Sequence, residues 1–146
     1  VNEFGKTSDR YIFAVGDCAN HPNKILGHRL RLESVQNAVE QSKSIASKIV
    51  GNKEPYNKVP WFWSDQYDLK LQIAGIFGEY DNYFISGSKQ KESFSLNFFK
   101  DNKLICVEAI NKPKDFMLGK KMIASGKKID PKLFEKEISD LRDLTN

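Results

Sequence analysis

Cysteine is scarce in this 146-residue sequence: Cys18 and Cys106 stand alone and far apart. Two such thiols exclude a disulfide-knit scaffold and a cysteine-based zinc site. The only histidines, His21 and His28, lack the spacing of a metal-binding pair. No apolar run approaches the roughly 20 residues that span a bilayer, and no signal peptide is recognisable, so the expected location is cytoplasmic. Catalytic signatures are missing too: there is no G-x-S-x-G, no H-E-x-x-H and no P-loop. Gly75-Ile76-Phe77-Gly78 is not a G-x-G-x-x-G dinucleotide fingerprint.

Charge of one sign is nowhere concentrated. Lys and Arg number 23 against 19 Asp and Glu, a formal charge of +4, and the excess is spread along the chain. A nucleic-acid binder gathers its basic residues on one face, so this mild bias reads as a solvated surface rather than a nucleic-acid site, though it would still help an encounter with an acidic protein. With 40% hydrophobic residues the chain has ample material for a core. It opens on Val1 rather than Met, and its first dozen residues read as the middle of something longer. The expectation is a fragment.

Tyr11-Ile12-Phe13-Ala14-Val15 is an unbroken β-prone run, expected as a strand buried on both faces and ended by Gly16-Asp17. A loop is expected from Asn20 to about Gly27. Leu32, Val35, Val39, Ile45 and Ile49, with Ala38 and Ala46, recur at helical spacing and predict a helix of about 18 residues stopped by Gly51, its apolar stripe packed on a sheet. Residues 51–60, polar and carrying two prolines, read as a linker. Beyond it, Leu69, Leu71 and Ile73 alternate with polar residues, Tyr83 to Ser86 is a second strand, and Phe94, Leu96 and Phe98 lead through Asp101-Asn102 into Lys103 to Ile110 as a hairpin. Phe116 to Ala124 predicts a short helix. Asp130-Pro131 opens a last one carrying Leu133, Phe134, Ile138 and Leu141. The whole is α+β: a domain at 56–146 with an antiparallel sheet and helices, preceded at 1–55 by the last strand and helix of an α/β domain.

Three places offer chemistry. Asp17, just past a strand and a glycine, can fix sugar-like hydroxyls beyond the carboxyl end of a sheet, or it is an ordinary turn residue. The helix start Arg31-Leu32-Glu33-Ser34-Val35 presents free N–H groups to an anionic ligand edge, or Glu33 and Ser34 serve only the helix. Pro60-Trp61-Phe62-Trp63-Ser64-Asp65-Gln66-Tyr67-Asp68 gathers both tryptophans; such a cluster closes an interface or walls a planar ligand. Cys18 reads as a buried thiol.

Together these segments resemble a known family. Thr7-Ser8 with Tyr11-Ile12-Phe13-Ala14-Val15-Gly16-Asp17 resembles the second FAD-binding motif of the two-dinucleotide-fold flavoprotein reductases. Leu32-Glu33-Ser34-Val35-Gln36-Asn37-Ala38 and Pro60-Trp61-Phe62-Trp63-Ser64-Asp65-Gln66-Tyr67 resemble the bacterial ferredoxin and rubredoxin reductases, as does Asn111-Lys112-Pro113-Lys114-Asp115-Phe116. The resemblance implies an FAD-binding domain, an NAD(P)H-binding domain and a C-terminal α+β domain, of which this chain holds the end of the first and the whole of the last. It implies that Asp17 holds the ribityl chain of FAD, that the helix opening at Glu33, Ser34 and Val35 aims its N–H groups at the flavin pyrimidine edge, and that Trp63 lies beside the isoalloxazine. It further implies electron transfer from NAD(P)H through FAD to an iron–sulfur protein, with His28, Arg29 and Arg31 near the docking surface. The glycine-rich FAD fingerprint and the NAD(P)H domain are not among these residues, so the chain alone is expected to be inactive. The competing reading is a non-catalytic interaction or dimerisation module, a homodimer included.

Overall fold

The computed structural model describes residues 1–51, 54–130, 132–133 and 140–144. The chain forms two compact units, Val1–Pro60 and Trp61–Asn146.

The first unit is built on a hairpin and a helix. Strands β1 (Asn20–Asn23) and β2 (His28–Arg31) pair antiparallel, Asn20 opposite Arg31 and Asn23 opposite His28. Part of the expected loop is therefore a hairpin. Its turn is organised by Asn23, whose Oδ1 accepts from the amides of Ile25 and Leu26, both at 3.0 Å. An Asx side chain substituting for backbone acceptors is the physical reason a polar stretch turns back on itself. The hairpin is stapled by Arg29, which donates through Nε to Asn20 Oδ1 and through Nη2 to the carbonyls of Asn20 and Val1.

Helix α1 spans Val35–Ile49 and starts where a cap permits, with Ser34 Oγ accepting from the Asn37 amide at 3.2 Å. Its buried face keeps only Ile45 of the expected valine and isoleucine stripe. Gln36, Asn37, Gln41 and Ile45 point inward, whereas Val35, Val39, Ile49 and Val50 are exposed. The inward amides have specific work: Gln41 Oε1 accepts from the Gly16 amide at 2.8 Å, and Asn37 bonds both the Leu32 carbonyl and the Tyr56 hydroxyl. Buried polar groups persist where each is bonded in this way. Tyr56 also anchors residues 54–60 by donating its amide to Glu3 O at 2.9 Å.

The Tyr11–Val15 run forms no strand. Tyr11, Ile12 and Phe13 are exposed, and among the described residues Phe13 makes only one isolated bridge, to Lys6. A strand buried on both faces needs neighbours on both sides, and the described residues supply one side: the Thr7 amide donates to Ile12 O at 3.0 Å and the Ala14 amide to Gly5 O at 2.9 Å.

The second unit has the α+β class expected from the sequence, with an antiparallel sheet and helices. Strands β3 (Trp61–Gln66), β4 (Leu69–Gly75), β5 (Asn82–Ser88), β6 (Ser93–Lys100) and β7 (Lys103–Ile110) form one antiparallel sheet in the order β3-β4-β7-β6-β5. Asp101 and Asn102 turn β6 into β7 with φ of 48° and 61°, the left-handed pair that a two-residue hairpin demands. Helix α2 (Pro113–Ser125) lies on β7 and β4 and ends at Gly126 in the left-handed conformation. Phe99, Val107, Ala109, Phe116 and Ile123 fill the layer between helix and sheet, together with Leu141 and Leu144 from a closing 3₁₀ turn. Pro131, Phe134 and Ile138, expected in a last helix, lie outside the described residues. No described helix is long and apolar enough to cross a membrane.

Candidate functional site

Within the first unit the structure brings Asp17 and the start of α1 together. Asp17 sits in a 3₁₀ turn, Gly16–Cys18. Gly16 has φ of 74°, a left-handed conformation that costs glycine nothing, and its amide is fixed by Gln41. Arg31, at the end of β2, donates through Nη1 to the Asp17 carbonyl at 3.0 Å and pairs with the Glu33 carboxylate. One guanidinium thus ties the 3₁₀ turn to the residues that lead into α1.

Asp17 engages the protein through its backbone and is exposed, which leaves its carboxylate open to a ligand. The amides of Asn37 and Ala38 are bonded to Ser34 Oγ and Ser34 O. The Val35 amide stands at the helix tip without an acceptor among the described residues, under a side chain that is 62% exposed. A carboxylate that accepts hydroxyl protons beside a helix N-terminus that favours negative charge suits a ligand with a polyol and an electron-rich planar edge. Flavin has both, so the donor set here fits the isoalloxazine–ribityl half of FAD.

His28 is exposed, with Nδ1 3.1 Å from the Leu26 carbonyl. Arg29 and Arg31 are exposed but spend their donors inside the unit, a double role that nothing in their spacing signals. Arg31 is expected near a docking surface; what pattern alone misses is its bond to the Asp17 carbonyl. Cys18 is exposed rather than buried, Cys106 is fully buried, and burial pushes the Cys106 thiol up to about 12.

In the second unit Trp63 lies on the edge strand β3, 45% exposed, with its ring 5.6 Å from that of Trp61. The register places Trp61, Trp63 and Asp65 opposite Ala74, Gln72 and Lys70 on one face. With Asn111 and Pro113, all of these except Ala74 line a cleft of about 430 Å³. Asn111 closes its end: its Oδ1 accepts from the Lys70 amide and its own amide donates to Lys70 O, both at 3.0 Å. No group of His, Cys, Asp and Glu among the described residues could hold a metal ion.

Comparison with known proteins gives these sites a context. The Reductase C-terminal family matches residues 61–145. Rhodocoxin reductase of Rhodococcus erythropolis is 41% identical over 131 residues, covering 90% of this chain and 31% of that protein. Putidaredoxin reductase of Pseudomonas putida is 34% identical over 144 residues, covering 99% of this chain and 34% of that protein. The crystal structure of the ferredoxin reductase for the CYP199A2 system of Rhodopseudomonas palustris superposes with a TM-score of 0.87 at 39% identity, over 98% of this chain and 34% of that one. The covalent putidaredoxin reductase–putidaredoxin complex matches at 0.85 and 35%, over 94% of this chain and 33% of that one. The chain spans about a third of the length of the curated relatives it matches.

Proposed function

The chain belongs to the Reductase C-terminal family, and we propose that it is the C-terminal part of a flavoprotein reductase. The parent protein passes electrons from NAD(P)H through FAD to a ferredoxin- or rubredoxin-type iron–sulfur protein. The observation that carries the reading is the convergence of Asp17 and the α1 tip through Arg31. The relatives' names, ferredoxin, rhodocoxin and putidaredoxin reductases, supply the reaction class.

In this reading residues 1–55 are the end of the FAD-binding domain and 56–146 the reductase C-terminal domain. Asp17 accepts hydrogen bonds from the ribityl hydroxyls. Val35 offers its amide to the pyrimidine edge, where reduced flavin carries negative charge and the positive end of α1 favours it. Glu33 and Ser34 shape that tip, Glu33 by holding Arg31 and Ser34 by capping the helix. Trp63 flanks the ring system, sheds water from it and offers the acceptor protein an apolar surface. When bound, FAD supplies a carrier that takes a hydride and gives up electrons singly.

The exposed apolar stripe of α1 and the exposed Tyr11, Ile12 and Phe13 support a first unit that is completed by residues of a longer parent. The same stripe is what a dimerisation module would show, and the two readings separate experimentally. A longer reading frame that includes the residues upstream of Val1 is expected to purify yellow, to bleach with NADH or NADPH, and to reoxidise when an iron–sulfur protein is added. In that protein Asp17→Ala weakens FAD binding about tenfold, the loss of a charge-assisted hydrogen bond. A colourless longer protein that forms a stable dimer through α1 would sink the reductase reading. The 146-residue chain alone is expected to bind FAD weakly or not at all, and stoichiometric flavin in it would overturn that.

A further inference from the structure

Asn111-Lys112-Pro113-Lys114-Asp115-Phe116 joins β7 to the first turn of α2, and its side chains reach three other strands. Asn111 is bonded to β4 through Lys70, and its carbonyl accepts from Ser93 Oγ on β6 at 3.1 Å. Lys112 donates to Ser86 Oγ on β5 and pairs with Asp115 Oδ2 at 2.9 Å. Asp115 Oδ2 also accepts from Ser95 Oγ on β6 at 2.6 Å, and Asn97 Nδ2 donates to that same Ser95 Oγ at 2.9 Å. Asp115 is 3% exposed. A carboxylate that deep is tolerated only with its partners in place, so the pair admits one seating of the helix. No side-chain cap competes with it, because Lys112, at the N-cap, makes no capping bond.

The next residue turns this seating outward. Phe116 meets the Trp61 ring edge-on at 5.6 Å, and Lys120, one turn further along α2, sets Nζ 4.9 Å over the same ring. Residues four apart share a helix face, so Phe116 and Lys120 grip Trp61 together. Trp61 in turn abuts Trp63. A half-exposed indole on an edge strand has few neighbours of its own to choose its rotamer.

We propose that Lys112, Asp115 and Phe116 are positioning residues for Trp63: the buried pair sets the height of α2, Phe116 and Lys120 fix Trp61, and Trp61 fixes Trp63. The purpose of this chain of contacts rests on the flavin reading of Trp63, but the contacts can be tested without flavin.

The test is the circular-dichroism exciton couplet of the two indoles in the 146-residue chain, which Trp61→Phe abolishes and so defines. Phe116→Leu is expected to cut the couplet by about half or more and to raise acrylamide quenching of Trp63, with a cooperative melt retained. Phe116→Tyr, which keeps the ring, preserves it. Lys112→Met, at a side chain 18% exposed, reduces it too and decides the matter if Phe116→Leu does not fold. Phe84→Leu removes a comparable ring, stacked at 5.8 Å on Phe99 on β6, and leaves the couplet intact. An unchanged couplet in Phe116→Leu and Lys112→Met overturns the proposal, as does equal loss in Phe84→Leu. Failure of the longer protein to bind flavin touches none of these outcomes.

Discussion

His21 is the residue most at odds with its surroundings. It is 1% exposed, its ring meets Tyr56 edge-on at 5.3 Å, and its Nε2 has no partner among the described residues. Desolvation, with smaller contributions from Arg29 and the chain's own ammonium terminus, holds its pKa below the ordinary 6.5 and outweighs the bond to the Ala19 carbonyl. The unfolded chain therefore takes up a proton at a pH where the folded one does not. The resulting stability is present above about pH 6.5 and is lost as pH falls below it. The urea midpoint of the chain should drop between about pH 7.5 and 5.5, and His21→Gln should flatten that part of the drop; an identical slope in the variant would refute the assignment. Tyr56, pushed up to about 12 mainly by burial, keeps its proton throughout and continues to donate to Asn37. Ser34 is simpler. Removing its hydroxyl in Ser34→Ala frees the Asn37 amide and should cost about 1 kcal/mol in chemical denaturation.

At the scale of the element, α2 reaches its sheet only because position 119 is glycine. A Cβ there would stand 2.4 Å from Val107 Cγ2 and 3.1 Å from Val107 Cβ. Gly119→Ala should therefore destabilise by about 1–3 kcal/mol despite alanine's better helix propensity, and a stabilised melt would contradict the packing. Elements whose signal is local were legible from the residues: the β6–β7 hairpin, with alternation on both arms and Asp101-Asn102 between them, and α1 from Ser34 to Ile49. Facing was not. The stripe of Val35, Val39 and Ile49 has the spacing of a core face, yet Gln36, Asn37 and Gln41 point inward, because Gly16, Leu32 and Tyr56 present polar partners there. Periodicity reports which residues lie on one side of a helix, but not what stands opposite. Tyr11–Val15 misled for the same reason, since a strand is a relation between segments. Of the candidate site, the position of Asp17 after Gly16 and the helix entry around Ser34 could be read directly, but the cap that Ser34 makes could not. The brace from Arg31 joins residues distant in sequence and left no local pattern.

At the scale of the whole molecule, both units present apolar side chains to solvent. The second buries an apolar layer under α2 yet exposes Phe62, Tyr67, Phe77 and Tyr83, and the first exposes Tyr11, Ile12, Val35, Val39, Ile49 and Val50. Apolar area of that extent attracts other surfaces. The chain should self-associate with rising concentration in sedimentation velocity, and Val39→Lys with Ile49→Lys should shift it toward monomer with little change in melting temperature. Concentration-independent sedimentation of the unaltered chain would show that the stripe is not sticky. The two thiols offer a handle of a different kind. Cys106 is walled off and holds its proton, while Cys18 stands at the surface directly beside Asp17. A maleimide dye should therefore report from a single address with no engineering of the sequence. Placed there, it becomes a proximity gauge whose quenching would announce a flavin at the moment the ring system settles on the tip of α1.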